Sequence, residues 1–504
     1  MNQLNAIIST FSIDEQLRFI NLLEKKNKRN DIKNIQLFKL LVEDELSSKE
    51  ICSKLYSNNK QNAYHALRKR LYQSLIDFVA NTNLEEENSI DMQIIKYILA
   101  SRTFLQHKQY EVAYNILNKA ETLANEHYLF ALLSEIYHTQ IQYSYSNSEL
   151  DIDNLISKFQ ENQKHHHLEN QLNIVYAKIR QTLNEITYNG EVVDFESILH
   201  NTLQGYNIDL NESLSFKSLY QLMTIVSISA FVTKDFLRIE PFLINTYQSI
   251  QSHKHKNKQL YYHIHVVYII ANTLFRNKKF NESTHYLEQM HSLMLEKKRK
   301  HYNTFKIKYN LLLALNLNYS NKQDQAIQTL EMLVHKNHPD TESLLNIHLG
   351  LVTFYFQKEN YKKAHSIFSK LYHTDRWYIK KAGIEWVIKK NLIEILLHIE
   401  LQNIDLVESR LLSFKRSHFD YLKSIKQERA ITYLQLIESY YKNPDQVSEQ
   451  KFRNRVESSF EWISAAQEDI FVMSFYAWLK SKMDNKSLYQ TTLNLISLAQ
   501  SVNQ

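Results

Sequence analysis

LLNIHLGLVTFYFQKENYKKAHSIFSKL, residues 344–371, decides the fold. Leu344, Leu345, Leu349, Val352 and Tyr355/Phe356 recur every three or four residues, which places them on one face of a helix. A polar turn follows, and then Ala364, Phe368 and Leu371 repeat the spacing for a second helix. The small Ala364 lets the two helices approach, and the larger residues one and two turns on fill the space between them.

The same arrangement is written four times. Phe280-Asn-Glu-Ser283 precedes Leu287 and Met290; Gln323-Asp-Gln-Ala326 precedes Leu330 and Leu333; Tyr361-Lys-Lys-Ala364 precedes Phe368 and Leu371; Ile404-Asp-Leu-Val407 precedes Leu411 and Phe414. The anchors Ser283, Ala326, Ala364 and Val407 stand 43, 38 and 43 residues apart. One helix pair cannot bury both of its apolar faces, so neighbouring pairs must stack, and repetition at a fixed period of this kind specifies a helical solenoid.

The pattern resembles the tetratricopeptide repeat, in which an alanine opens the second helix and a small residue sits twelve places earlier. Ala271 and Ala314 stand twelve before Ser283 and Ala326, whereas Val352 and Ile395 precede Ala364 and Val407. The usual helix-ending proline is missing, and the period exceeds the family's 34 residues. The resemblance implies an all-α, right-handed solenoid of about eight or nine divergent hairpins with a period near 42 residues.

Composition agrees. The chain has four glycines and three prolines in 504 residues, where average usage would give about 35 and 25. Sheet-based folds need those residues at their turns, so α/β and all-β enzyme classes are excluded. Cys52 is the only cysteine, which excludes an internal disulfide and a cysteine zinc site. The start, MNQLNAIIST, lacks the pattern of a secretion signal, and the longest apolar run is too short for a membrane span. A cytoplasmic location is expected.

Residues 1–82 read as a separate helical domain, with helices near Ser12–Lys26, Ile32–Asp44, Ser48–Leu55 and Asn62–Val79. The last two have helix-turn-helix spacing. Ala63, Leu67, Leu71 and Leu75 face inward and leave Asn62, His65, Arg68 and Lys69 outward as candidate DNA contacts. The competing reading is a solvated face on an all-α cap. A polar linker at Glu85-Glu86-Glu87 leads to the solenoid, residues 90–465. It opens with Tyr110-Glu-Val-Ala113, Leu117 and Ala120, has fainter anchors at Leu155, Ile198 and Ile239, and ends with a pair near Ile431–Tyr441 and Phe452–Ala465 that includes Phe460 and Trp462. Residues 466–504 read as capping helices, Phe471–Lys482 and Ser487–Gln500.

Catalytic spacings are missing: there is no His-Glu-x-x-His pair for zinc, no glycine-rich phosphate loop and no nucleophile elbow. His165-His166-His167, His253/His255 and His263/His265 are one or two apart and point to different sides of a helix, so no metal and no cofactor is expected. Asp151 and Asp153 read as helix caps. Between residues 251 and 310, twelve basic residues face three acidic ones, a local charge of +9 in a chain of +6. Such a field attracts acidic partners.

In solenoids of the resembled type, the first helix of each pair lines the concave surface. The implied lining residues are His265, Tyr268, Asn272 and Arg276, then Lys308 and Asn318, then Asn346 with Thr353, then Lys389. The expected function is a non-enzymatic scaffold that binds a peptide or partner protein there, with an acidic partner favoured. The alternative is a regulator that joins a DNA-binding helix-turn-helix to a sensing solenoid. No membrane partner is expected.

Overall fold

The computed structural model describes residues 3–8, 11, 13–26, 32–43, 48–56, 61–86, 90–146, 150–189, 216–233, 235–251, 259–334, 341–425, 427–459 and 469–501, and these are overwhelmingly α-helical. The fainter anchor Ile198, the residues Phe460 and Trp462, the pair His253/His255 and the lysines 254, 256 and 258 lie outside the described residues. Contacts divide the chain into two compact units, residues 1–163 and 164–504.

In the first unit, α1 (Gln3–Ile8), α2 (Ile13–Lys26), α3 (Ile32–Glu43), α4 (Ser48–Leu55) and α5 (Gln61–Glu86) enclose one apolar core that contains Phe19, Phe38, Leu67, Leu71 and Leu75. The expected linker at Glu85 and Glu86 is instead the last turn of α5. Strong helix formers run through Leu84-Glu85-Glu86, and nothing there breaks the helix. A second core gathers α6 (Ile90–Gln106), α7 (Tyr110–Glu126) and α8 (Phe130–Gln142) around Ala113, Leu117 and Ala120. The boundary between the units falls within α9 (Ile152–Asn184), whose first turn is capped by Asp151 accepting from Asn154 N at 3.0 Å.

The second unit continues with α10 (Phe216–Thr233), α11 (Phe236–Gln251), α12 (Leu260–Arg276), α13 (Phe280–Arg299), α14 (Tyr302–Tyr319), α15 (Gln323–Val334), α16 (Thr341–Gln357) and α17 (Tyr361–Phe368). Then come α18 (Asp375–Ala382), α19 (Ile384–Glu400), α20 (Ile404–Ser424), α21 (Glu428–Lys442), α22 (Gln450–Ser459), α23 (Ile470–Asp484) and α24 (Leu488–Ser501). Each first helix packs on its own partner and on the first helix of the next pair, in the order α10, α12, α14, α16, α19. The anchors Ser283, Ala326, Ala364 and Val407 are all fully buried. Ser283 Oγ donates to Ala271 O at 2.7 Å, so the anchor touches the small residue twelve places earlier.

The turn between the paired helices has a fixed form that composition conceals. Lys108, Lys278, Asn321, Glu359 and Gln402 all adopt the left-handed conformation, each five residues before an anchor. The residue after each turn reaches back five positions, as in Gln109 N to Phe104 O, Lys279 N to Leu274 O, Lys322 N to Leu317 O, Asn360 N to Tyr355 O and Asn403 N to His398 O. This is the Schellman arrangement, usually supplied by glycine. Gln402 is exposed and carries the steric penalty of an L side chain in the left-handed region. Gln402→Gly is therefore expected to raise stability by about 1 kcal/mol, read as a higher urea midpoint with an unchanged slope.

One repeat departs from the expected pattern. Helix α17 ends at Phe368, and Leu371, expected on its buried face, lies beyond it in a turn closed by Leu371 N to Phe368 O. The reason lies downstream: Thr374 caps a further short helix, α18, with its side chain accepting from Trp377 N. Gly383 then turns the chain into α19 at φ +89°, and a Cβ there would meet Thr187 O at 2.8 Å.

Candidate interaction surface

The first helices carry the residues singled out for binding, and the structure sorts them into two groups. Arg276, Asn318 and Lys389 meet the chain's own C-terminal helices, as does Thr353. Arg276 pairs with Asp469 at 3.0 Å. Asn318 is buried, donates to Gln357 Oε1 at 2.9 Å, and its carbonyl accepts from Tyr489 OH at 2.6 Å. Lys389 Nζ sits 5.0 Å from the centre of the Phe471 ring. Thr353, Phe356, Ile393 and Leu396 close over Phe471 and Phe475, leaving a void of only ≈ 10 Å³.

Helices α23 and α24 thus do more than follow α22. They reach back across the C-terminal ends of α12, α14, α16 and α19. Gln500 donates to Lys278 O at 2.6 Å, Leu488 N to Glu359 Oε1 at 2.8 Å, Gln357 Nε2 to Ser474 Oγ at 3.1 Å, and Trp478 Nε1 to Glu400 Oε1 at 2.6 Å. Lys482 adds an ion pair to Glu400 at 2.7 Å. The ends of helices leave carbonyls unsatisfied, and several of these donors answer them or the turns beside them. Apolar burial supplies the rest: Met473, Ala477, Trp478, Leu479 and Ala499 are 0–1 % exposed.

The second group precedes those ends along α12, α14 and α16. His265 on α12 is enclosed by the rings of Tyr220, Tyr261 and Phe305 at 4.8, 4.9 and 4.6 Å. Burial, and then the charge of Lys308 on α14, lower its pKa from the ordinary 6.5 to about 4. The structure therefore brings His265 and Lys308 together. Tyr268, Asn272 and Asn346 are half-buried on α12 and α16.

His301, His398 and His418 are also held below the ordinary value, chiefly by burial; Lys300 and Lys297 add to this at His301, His365 and Arg410 at His398, and Lys390 at His418 against the opposing Asp375. A histidine that takes its proton more readily when unfolded favours the folded state only above pH 6.5, and that stability drains away as pH falls toward the folded pKa. His265 alone is expected to cost about 2 kcal/mol between pH 7 and pH 5. Urea unfolding at the two pH values checks this, and His265→Phe should shrink the difference.

A third constellation escaped the sequence reading. Lys390, Glu394 and His398 lie one turn apart on α19, each 5–7 % exposed. Lys390 pairs with Asp375 of α18 at 2.9 Å, and Glu394 with Arg410 of α20 at 2.9 Å. Asn391 donates to Asp375 Oδ2 at 2.9 Å and lies 3.2 Å from His418 Nε2. Burial raises the Glu394 pKa against the pull of both cations, while Asn391 and Lys390 hold Asp375 low in spite of its own burial. The signal was available as a polar i, i+4, i+8 row on an otherwise apolar helix. Reading Lys389 as the outward residue put attention one position away.

In the first unit, Asn62, His65 and Lys69 are exposed on α5, while Arg68 is half-covered, its guanidinium 5.7 Å from the centre of the Tyr64 ring. Among the described residues, no cluster of His, Cys, Asp and Glu is placed to hold a metal ion, and no helix is long and apolar enough to cross a membrane. Comparison with protein-family models and with curated proteins returned no match.

Proposed function

We propose that the chain is a non-enzymatic interaction scaffold, a divergent tetratricopeptide-like, right-handed solenoid that binds a peptide or partner protein on the concave face of its first helices. One observation carries this reading: the face formed by α12, α14, α16 and α19 already holds a helical hairpin of the chain itself, by apolar burial and by hydrogen bonds at helix ends. A surface built to grip helices through those two means suits a partner along its remaining length, where His265, Tyr268, Asn272, Lys308 and Asn346 stand. That the function is recognition rather than catalysis is a fold-level argument. The test is affinity capture from the native cell with wild type and with Tyr268→Ala/Asn272→Ala/Asn346→Ala at equal thermal stability. A partner held by wild type and lost by the triple variant supports the proposal; identical partners for both remove this face from consideration.

A second reading has its own support. Helix α5 exposes Asn62, His65 and Lys69 from a unit with an independent apolar core, the arrangement needed for a helix that enters a major groove. Salt-sensitive retention on duplex DNA, abolished by Arg68→Ala/Lys69→Ala, would establish it.

A further inference from the structure

We propose that the basic turn Lys297–Lys300, together with Lys308 and the exposed ring of Tyr261, is the docking point for an acidic peptide segment of a partner protein, rich in carboxylates and carrying one bulky apolar side chain. This rests on the scaffold reading and names the partner's chemistry.

The geometry begins at the end of α13. Glu296 is extended, and Lys297, Lys298 and Arg299 follow with φ of +47°, +57° and +62°. Three successive left-handed residues are costly for L side chains, and their effect is to display four cationic side chains from one tight turn. All four are exposed. Among the described residues no carboxylate pairs with Lys298, Arg299, Lys300, Lys306 or Lys308, whereas lysines elsewhere in this unit, such as Lys279, Lys358 and Lys415, are neutralised by ion pairs.

The turn stands beside an aromatic array. Tyr261, 38 % exposed, contacts His301 at 5.6 Å, His265 at 4.9 Å and Phe305 at 5.5 Å. The lysine charges reach both ends of this array: Lys297 and Lys300 act on His301, and Lys308 acts on His265. Burial, and then these charges, hold both imidazoles below the ordinary value, so the cationic field is that of lysine and arginine.

A peptide fits better than a nucleic acid. The rings meet one another at interplanar angles of 52–72°, so they pack edge to face instead of presenting a stack of parallel faces on which successive bases would lie. One exposed tyrosine beside a basic turn suits a single apolar side chain flanked by carboxylates.

The test is fluorescence anisotropy on the full chain, using a labelled peptide of glutamates around a central phenylalanine. Its lysine counterpart and a single-stranded oligothymidylate of equal charge serve as comparisons. The acidic peptide is expected to bind, to weaken as salt rises, and to weaken about tenfold or more with Lys298→Glu/Arg299→Glu or with Lys308→Glu. Lys362→Glu, an exposed change on α17, should leave binding intact. Equal binding of acidic and basic peptides, indifference to the variants, or tighter binding of the oligonucleotide would overturn the proposal. If partner capture still depends on Tyr268, Asn272 and Asn346 while the acidic peptide fails, the scaffold reading stands and this inference alone falls.

Discussion

Ending the chain at Asp469 is expected to yield protein that aggregates and no longer unfolds as one cooperative unit. Helices α23 and α24 bury Ile470, Met473, Phe475, Tyr476, Trp478, Leu479, Met483, Leu488, Leu495 and Ile496, none more than 9 % exposed. At about 1.5–3 kcal/mol for each large apolar side chain, this amounts to roughly 15–30 kcal/mol before chain entropy is subtracted, an upper figure because the unfolded chain already hides some surface. With side chains buried to this extent on the face of α16 and α19, the hairpin is an integral wall of the fold and not a detachable latch. Its removal would lay bare a continuous apolar strip along α16 and α19, including Phe356, Ile393 and Leu396, and strips of that kind drive association. A milder form of the experiment is Trp478→Ala, which deletes a side chain with no exposed surface and its hydrogen bond to Glu400. A loss of about 4 kcal/mol is expected in denaturant unfolding. A truncated protein that stays monomeric with the parent's melting temperature would show that these helices lie elsewhere.

The second large effect concerns the buried ion network. Lys390→Ala leaves Asp375 and Glu394 without their shared cation in a site where Lys390 and Glu394 are each 7 % exposed. Breaking a buried pair by removing one partner costs about 3–5 kcal/mol, whereas replacing both members with apolar residues of similar volume is close to neutral. Lys390→Met/Glu394→Leu should therefore be more stable than Lys390→Ala, because it also removes the more deeply buried carboxylate, although it leaves both Asp375 and Arg410 without their ion-pair partners. The pH dependence has a definite sign. Burial already raises the Glu394 pKa, and loss of Lys390 raises it further, so the folded state holds protons that the unfolded state releases. Stability then falls as pH rises through that pKa, and the deficit of Lys390→Ala should be larger at pH 8 than at pH 5. Chemical denaturation at the two pH values measures it.

The helical architecture was legible because it is written in local spacing. The expected helices at Ser12–Lys26, Ile32–Asp44 and Ser48–Leu55 correspond to Ile13–Lys26, Ile32–Glu43 and Ser48–Leu55, and the four anchors are fully buried. The turns were hidden because a left-handed residue is recognised by glycine, and here lysine, asparagine, glutamate and glutamine take that place. The end of α17 was missed for a related reason: the apolar period ran on through Leu371, while the cap at Thr374 that starts a new helix outweighed it.

The return of α23 and α24 was invisible for a deeper reason. Periodicity reports which face of a helix is apolar and says nothing about which distant face it meets. Leu488, Leu495 and Leu498 among polar neighbours read as a terminal cap; in the structure Leu488 and Leu495 are buried while Leu498 is 63 % exposed. The same limit applied to the binding residues. Arg276 and Lys389 lie on α12 and α19, yet only the three-dimensional arrangement reveals that Asp469 and Phe471 stand opposite them.

The most direct measurement is a cross-link between Arg276 and Asp469, whose side chains meet at 3.0 Å and remain about a quarter exposed. With Cys52→Ala removing the native thiol, Arg276→Cys/Asp469→Cys treated with a short bifunctional maleimide should give one intramolecular product, mapped by mass spectrometry to α12 and the start of α23. A folded protein in which the 276–469 pair stays unlinked under conditions that modify each cysteine singly would contradict the placement of the C-terminal helices on α12, α14, α16 and α19.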